Sequence, residues 1–201
     1  MSDDRSESTR WQVHGERSIY ESPWVRLNLV EVELPDGARF EHHVARLHHA
    51  AMVVVLDERD RVLLLWRHRF VFDRWGWELP GGLVDHGEDP GEAAAREAEE
   101  ETGWRPSTLE KLVTFQPMVG MVDSEHSVFL TRDARWVEEP TETTEAQRIA
   151  WVPLASVLGL IEGGEIWNSG TLVGLLHLLA TRGCGSAGSG GDTFDSASLP
   201  G

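Results

Sequence analysis

Two apolar runs, "AAMVVVLD" (50–57) and "RVLLLWRH" (61–68), constrain the fold most tightly. Their Val and Leu residues are unbroken rather than alternating, the pattern of strands buried on both faces. The charged "ERD" between them reads as a turn, so the two runs are expected to pair as a hairpin. A second hairpin is expected nearer the N-terminus. There "VRLNLVEVEL" (25–34) and "ARFEHHVARL" (38–47) flank Pro35-Asp36-Gly37, and Asp-Gly is a strong hairpin-turn signal. "LVTF" (112–115), "SVFLTR" (127–132) and "RIAWV" (148–152) read as further strands.

Three segments read as helix. The central one has local chemistry at both ends: Asp89 as N-cap, Pro90 at the first helical position, Glu92 three residues after the cap, and Gly103 as the terminating glycine. "PLASVLGLIEGG" (153–164) starts at a proline and ends in glycine, and "GTLVGLLHLLA" (170–180) is apolar nearly all round and should lie on the sheet. Mostly strands with three helices and no regular βα alternation gives an α+β fold. With 201 residues, 40% of them hydrophobic, the chain can bury one core. Residues 1–10 and the Gly/Ser-rich tail 183–201 are expected to be disordered. The folded domain is then 11–182, with N-terminal strands in 15–47 and the core in 48–182.

The formal net charge of -16 disfavours nucleic acid and anionic membrane surfaces as partners. It does not exclude small phosphorylated ligands that arrive with a divalent cation. One cysteine, Cys184, rules out an intrachain disulfide framework or a cysteine-based metal site. No signal-peptide core and no long apolar span is visible, so the expected location is the cytoplasm.

Residues 81–104, "GGLVDHGEDPGEAAAREAEEETGW", hold eight carboxylates. On a helix Glu97, Glu100 and Glu101 share an arc of about 100°, while Glu99 points the other way, towards solvent. Like charges at this spacing repel. They read either as a hydrated surface face or as oxygen ligands for Mg²⁺, Mn²⁺ or Ca²⁺. Arg96 stands four residues before Glu100, within ion-pair reach.

The whole stretch fits G-x5-E-x7-R-E-U-x-E-E-x-G-U, where U is hydrophobic. Its fixed residues are Gly82, Glu88, Arg96, Glu97, Glu100, Glu101 and Gly103. This resembles the signature box of the Nudix hydrolases. "VELPDG", "RVLLLWRHRF", "WELPGGLVD" and "GEIWNSGTLVGLL" extend the resemblance to the ADP-ribose pyrophosphatase branch. The resemblance implies a mixed β-sheet sandwiched between helices, and Mg²⁺ (or Mn²⁺) as cofactor. It implies metal ligation by Glu97 and Glu101 with Glu100 assisting, and by the Gly81 carbonyl. Glu88 and Arg96 would organise the loop and helix, with Gly82 and Gly103 shaping their ends.

A carboxylate outside the box would handle the attacking water. Glu125, in "QPMVGMVDSEHSVFL" (116–130), is the expected one, with Asp123 and His126 as competitors. "TETTE" (141–145) reads as an ordinary loop. Arg67 and Arg69 are candidate phosphate or sugar contacts; Trp75 and Trp77 are candidate base-stacking residues. The implied substrate is a nucleoside diphosphate linked to another moiety, ADP-ribose first. Alternatives are (d)NTPs, dinucleotides, or a non-catalytic ligand sensor. Retention of every fixed acid favours catalysis over sensing. The resemblance also implies a homodimer built through the N-terminal strands.

Overall fold

The computed structural model describes residues 9–142 and 146–184. The chain opens with three long strands, β1 (Gln12–Glu21), β2 (Val25–Glu33) and β3 (Arg39–Leu47). Next come β4 (Ala50–Val55), β5 (Arg61–Arg69), β6 (Arg74–Glu78) and β7 (Gly81–Leu83), then helix α1 (Pro90–Thr102). Five strands follow: β8 (Trp104–Pro106), β9 (Glu110–Phe115), β10 (Val122–Asp123), β11 (His126–Thr131) and β12 (Ala134–Trp136). The last elements are β13 (Ala146–Pro153), α2 (Val157–Glu162) and α3 (Ser169–Cys184).

The strands form sheets ordered β1-β2-β3-β10, β7-β4-β11-β9 and β13-β5-β6, with β12-β8 as a separate pair. The hairpin around Asp36-Gly37 forms as expected, with Val25 opposite Leu47 and Glu33 opposite Arg39. The expected β4–β5 hairpin does not. Asp57 N–H donates to the Arg61 carbonyl at 3.0 Å and Leu56 bridges Val62, but the strands then part into different sheets. Each has both edges taken, β4 by β7 and β11, β5 by β13 and β6. Neither has an edge left for the other.

The period-2 alternation of β4 divides the core. Val53 and Val55 join Ala93, Ala94 and Ala98 of α1 in one cluster. Val54 joins Leu79, Val128 and Leu175 of α3 in the other. The sheet therefore lies between α1 and α3, and the small alanines let α1 approach it closely. Ala98, small for its slot in the motif, is fully buried.

The central helix begins and ends where its caps predict. Asp89 accepts from the N–H groups of Gly91 (2.8 Å) and Glu92 (3.3 Å), and Gly103 is left-handed at φ 75°. Pro153 instead ends β13, and a 3₁₀ turn (Leu154–Ser156) precedes α2. Helix α3 runs on to Cys184, beyond the expected boundary at 182. Expectations for 1–8, for 143–145 and for 185–201 lie outside the described residues. Strand β1 was not legible: its residues are all exposed, so no alternation marks it. Among the described residues no helix is long and apolar enough to cross a membrane.

Candidate active site

The turn from β6 into β7 places two glycines beside α1. A Cβ on Gly82 would collide with the Glu97 carboxylate, so glycine leaves room for that side chain in its present position. Gly81 N–H donates to Glu101 Oε2 at 2.9 Å, which ties the turn to the helix.

Arg96 straps this loop down. Its guanidinium reaches Glu88 at 3.0 Å, Glu97 at 2.8 Å and Glu100 at 3.0 Å, and donates to the Leu83 carbonyl at 3.3 Å. Glu88 also accepts from Asp85 N–H at 3.0 Å. The Arg96 bond, then that N–H, hold the Glu88 carboxyl below the usual carboxylate range.

The acids of α1 fall into different environments. The Glu101 side chain is 3% exposed and pairs with the equally buried Arg67. Burial outweighs Arg67 and lifts the Glu101 carboxyl to about 7. Burial also raises Glu97, with Arg96 acting against it. Glu100 is more open, at 37%, and bonds to Arg96. Glu99 is not simply solvated as expected, but pairs with Arg105 at 2.5 Å.

A third carboxylate completes a cluster, and the sequence did not single it out. Oxygens of Glu97, Glu101 and Glu142 lie within 4.8 Å of one another. Glu142 belongs to the "TETTE" loop read as ordinary. Thr141 and Glu142 donate their N–H groups to the Glu100 carbonyl at 2.9 and 3.0 Å. That carbonyl is one of the last of α1, which the helix leaves without an internal partner. Main-chain hydrogen bonding thus docks the loop, and no side-chain pattern announces it.

The cluster lines a cavity of about 750 Å³, together with Gly81, Gly82 and Arg67. Arg69 also lines it, its guanidinium bonded to Glu78 at 2.9 and 2.5 Å. Trp75 and Trp77 do not. In the β5–β6 register Trp66 faces Trp77 and Arg67 faces Gly76, so the tryptophans lie on the sheet face opposite Arg67 and Glu78. Trp77 is 5% exposed and Trp75 stacks on Trp66 at 6.2 Å. Glu125 is half-buried and outside the cavity wall, where His126 stands instead. Burial lowers the His126 pKa. Asp123 pairs with Arg46 at 2.5 Å in the N-terminal sheet.

The all-oxygen donor set of Glu97, Glu101 and Glu142 suits a hard divalent cation such as Mg²⁺ or Mn²⁺. The Gly81 peptide, bonded to Glu101, lies beside that set.

Known proteins resemble the chain along most of its length. The NUDIX domain matches residues 46–172, and the nucleoside diphosphate sugar hydrolase N-terminal domain matches 11–45. The chain is 52% identical over 174 residues to the CMP-5'-(N-acetyl-N-hydroxy-3-aminopropyl)phosphonate hydrolase of Streptomyces rubellomurinus, covering 87% of this chain and 84% of that protein. It is 32% identical over 153 residues to the ADP-ribose pyrophosphatase of Mycobacterium tuberculosis, covering 75% and 74%. The solved structure of an ADP compounds hydrolase superposes with a TM-score of 0.76 at 18% identity, covering 88% of this chain and 96% of that one, and so shares the fold. With its carboxylate box intact and the domain matched over most of its length, the chain belongs to the Nudix hydrolase family.

Proposed function

We propose that the chain hydrolyses the P–O–P linkage between a nucleoside monophosphate and a second phosphoryl or phosphonyl group, with Mg²⁺ or Mn²⁺ bound. The observation that carries this reading is the convergence of Glu97, Glu101 and Glu142 in one cavity. Glu97 and Glu101 would hold the metal, with the Gly81 carbonyl, and with Glu100 close by and tied to Arg96. A bound cation would neutralise phosphate charge and lower the pKa of a water it holds. Glu142 is the proposed base in place of Glu125: its carboxylate faces the cavity and would take the proton of the attacking water. Water adds to one phosphorus, the bridging oxygen leaves with the other, and two acids result. Arg69 and Arg67 stand in the wall where phosphate oxygens would lie.

For the second half of the substrate, the 52% identity to a CMP-phosphonate hydrolase puts a cytidylyl-linked phosphonate first. ADP-ribose is the second reading, supported by the ADP-ribose pyrophosphatases and the sugar-hydrolase N-terminal match. The test is a product screen with Mg²⁺ or Mn²⁺. It covers a CMP-linked alkylphosphonate, ADP-ribose, CDP- and UDP-sugars, dinucleotides and (d)NTPs. Release of a nucleoside monophosphate is expected, fastest from the CMP-linked phosphonate. Folded protein that cleaves none of these would refute the reading.

A further inference from the structure

The cavity wall contains an aromatic side chain held by more contacts than packing needs. Trp167 lies just before α3 and lines the cavity, half-buried. Its Nε1–H donates to the Trp75 carbonyl at 3.0 Å. Its indole nitrogen passes over Gly76 so closely that a Cβ there would overlap it. The Arg74 guanidinium sits 5.1 Å from the ring centroid and is itself fixed, donating to the Gly164 carbonyl at 2.6 Å. Phe72, from the turn between β5 and β6, meets the indole at 5.4 Å with the planes at 78°. Phe72 is 68% exposed, an unfavourable position for a phenyl ring with nothing to bind.

We infer that Trp167 and Phe72 form a preorganised corner that takes the planar base of the substrate. The inference rests on the reading of this cavity as a nucleotide site. The physics favours a base over a sugar. A base has a π-face to lie on one ring and an edge to meet the other, whereas a sugar ring offers hydroxyls to apolar carbon. Because the indole is already fixed, little side-chain freedom is lost on binding. The corner assigns base recognition to residues on either side of the carboxylate box, none of which belongs to it. Trp75, expected to stack on a base, instead contributes the carbonyl that orients the tryptophan that does.

The test is calorimetric titration of the full chain, with Mg²⁺ present, by CMP, AMP and ribose 5-phosphate. Wild type should bind at least one nucleotide more tightly than ribose 5-phosphate. Trp167→Ala should lose about tenfold or more in nucleotide affinity and leave ribose 5-phosphate binding unchanged. Trp167→Phe should restore most of the loss. Phe72→Ala, at an exposed position that cannot unfold the chain, should lose about threefold. Unchanged nucleotide affinity in both alanine variants would overturn the corner, as would equal wild-type affinity for nucleotide and ribose 5-phosphate. The hydrolase reading stands or falls separately, on the product screen, because binding is measured here without turnover.

Discussion

We expect Glu101 to be the most sensitive single residue in the cavity, since it is buried, paired with Arg67 and proposed to hold the metal. Glu101→Gln keeps its volume and removes its charge beside the buried Arg67. Turnover should fall by at least about 10²-fold with the fold retained, and near-wild-type rates would remove Glu101 from the metal site. A paired comparison decides the base: Glu142→Gln should lower kcat by a larger factor than it weakens metal binding, and Glu125→Gln should change neither. The reverse pattern would restore Glu125. Glu101 also makes a pH prediction. Burial pushes its carboxyl up to about 7 in the folded chain, above the ordinary carboxylate value of 4.5. In the metal-free protein its contribution to stability is complete below about 4.5 and is lost as pH rises through about 7. A divalent cation binds the ionised form, so Mg²⁺ should raise the Tm more at pH 8 than at pH 6. A thermal shift independent of pH would contradict this. The box acids were legible because helical spacing alone puts them together. Glu142 was not, because its place depends on two backbone amides finding the Glu100 carbonyl.

Among the elements, the β7–α1 junction couples the glycine turn to Glu97 and Glu101, the proposed metal ligands. Gly82→Ala should push the Glu97 carboxylate aside and raise the Mg²⁺ concentration for half-maximal activity by about tenfold or more. Circular dichroism should stay unchanged; an unaltered metal requirement would show that Glu97 has room to move. Helix α1 was read to its ends because Asp89 and Gly103 act on adjacent backbone. Strand pairing was harder to read. "AAMVVVLD" and "RVLLLWRH" carry the signature of burial on both faces, but that signature does not say which neighbour takes which edge. The same limit governs the tryptophans: Trp75 and Trp77 share a face by parity, and only the register with β5 shows that it is the face opposite Arg67 and Glu78.

For the molecule as a whole, the N-terminal sheet presents Val13, Ile19, Tyr20 and Phe40 to solvent, with β1 as an edge unpaired among the described residues. We expect a homodimer through this region. Light scattering at micromolar concentration should give about twice the chain mass of 22.5 kDa, and a monomer mass would refute it. The α+β class was legible from the sequence; the first strand was not, because all its residues stay exposed within one chain and no alternation marks it. The net charge of -16 draws cations of every valence towards the surface. The cavity responds to them differently. Its two deepest box acids are already countered, Glu97 by Arg96 and Glu101 by Arg67. A potassium or sodium ion offers no more charge than the guanidinium it would displace and must shed water to do so. A dication offers twice as much. We therefore expect the cavity to behave as an ion exchanger that sorts by valence, keeping its carboxylates from the abundant monovalent salts and yielding them to the scarcer ions that carry two charges.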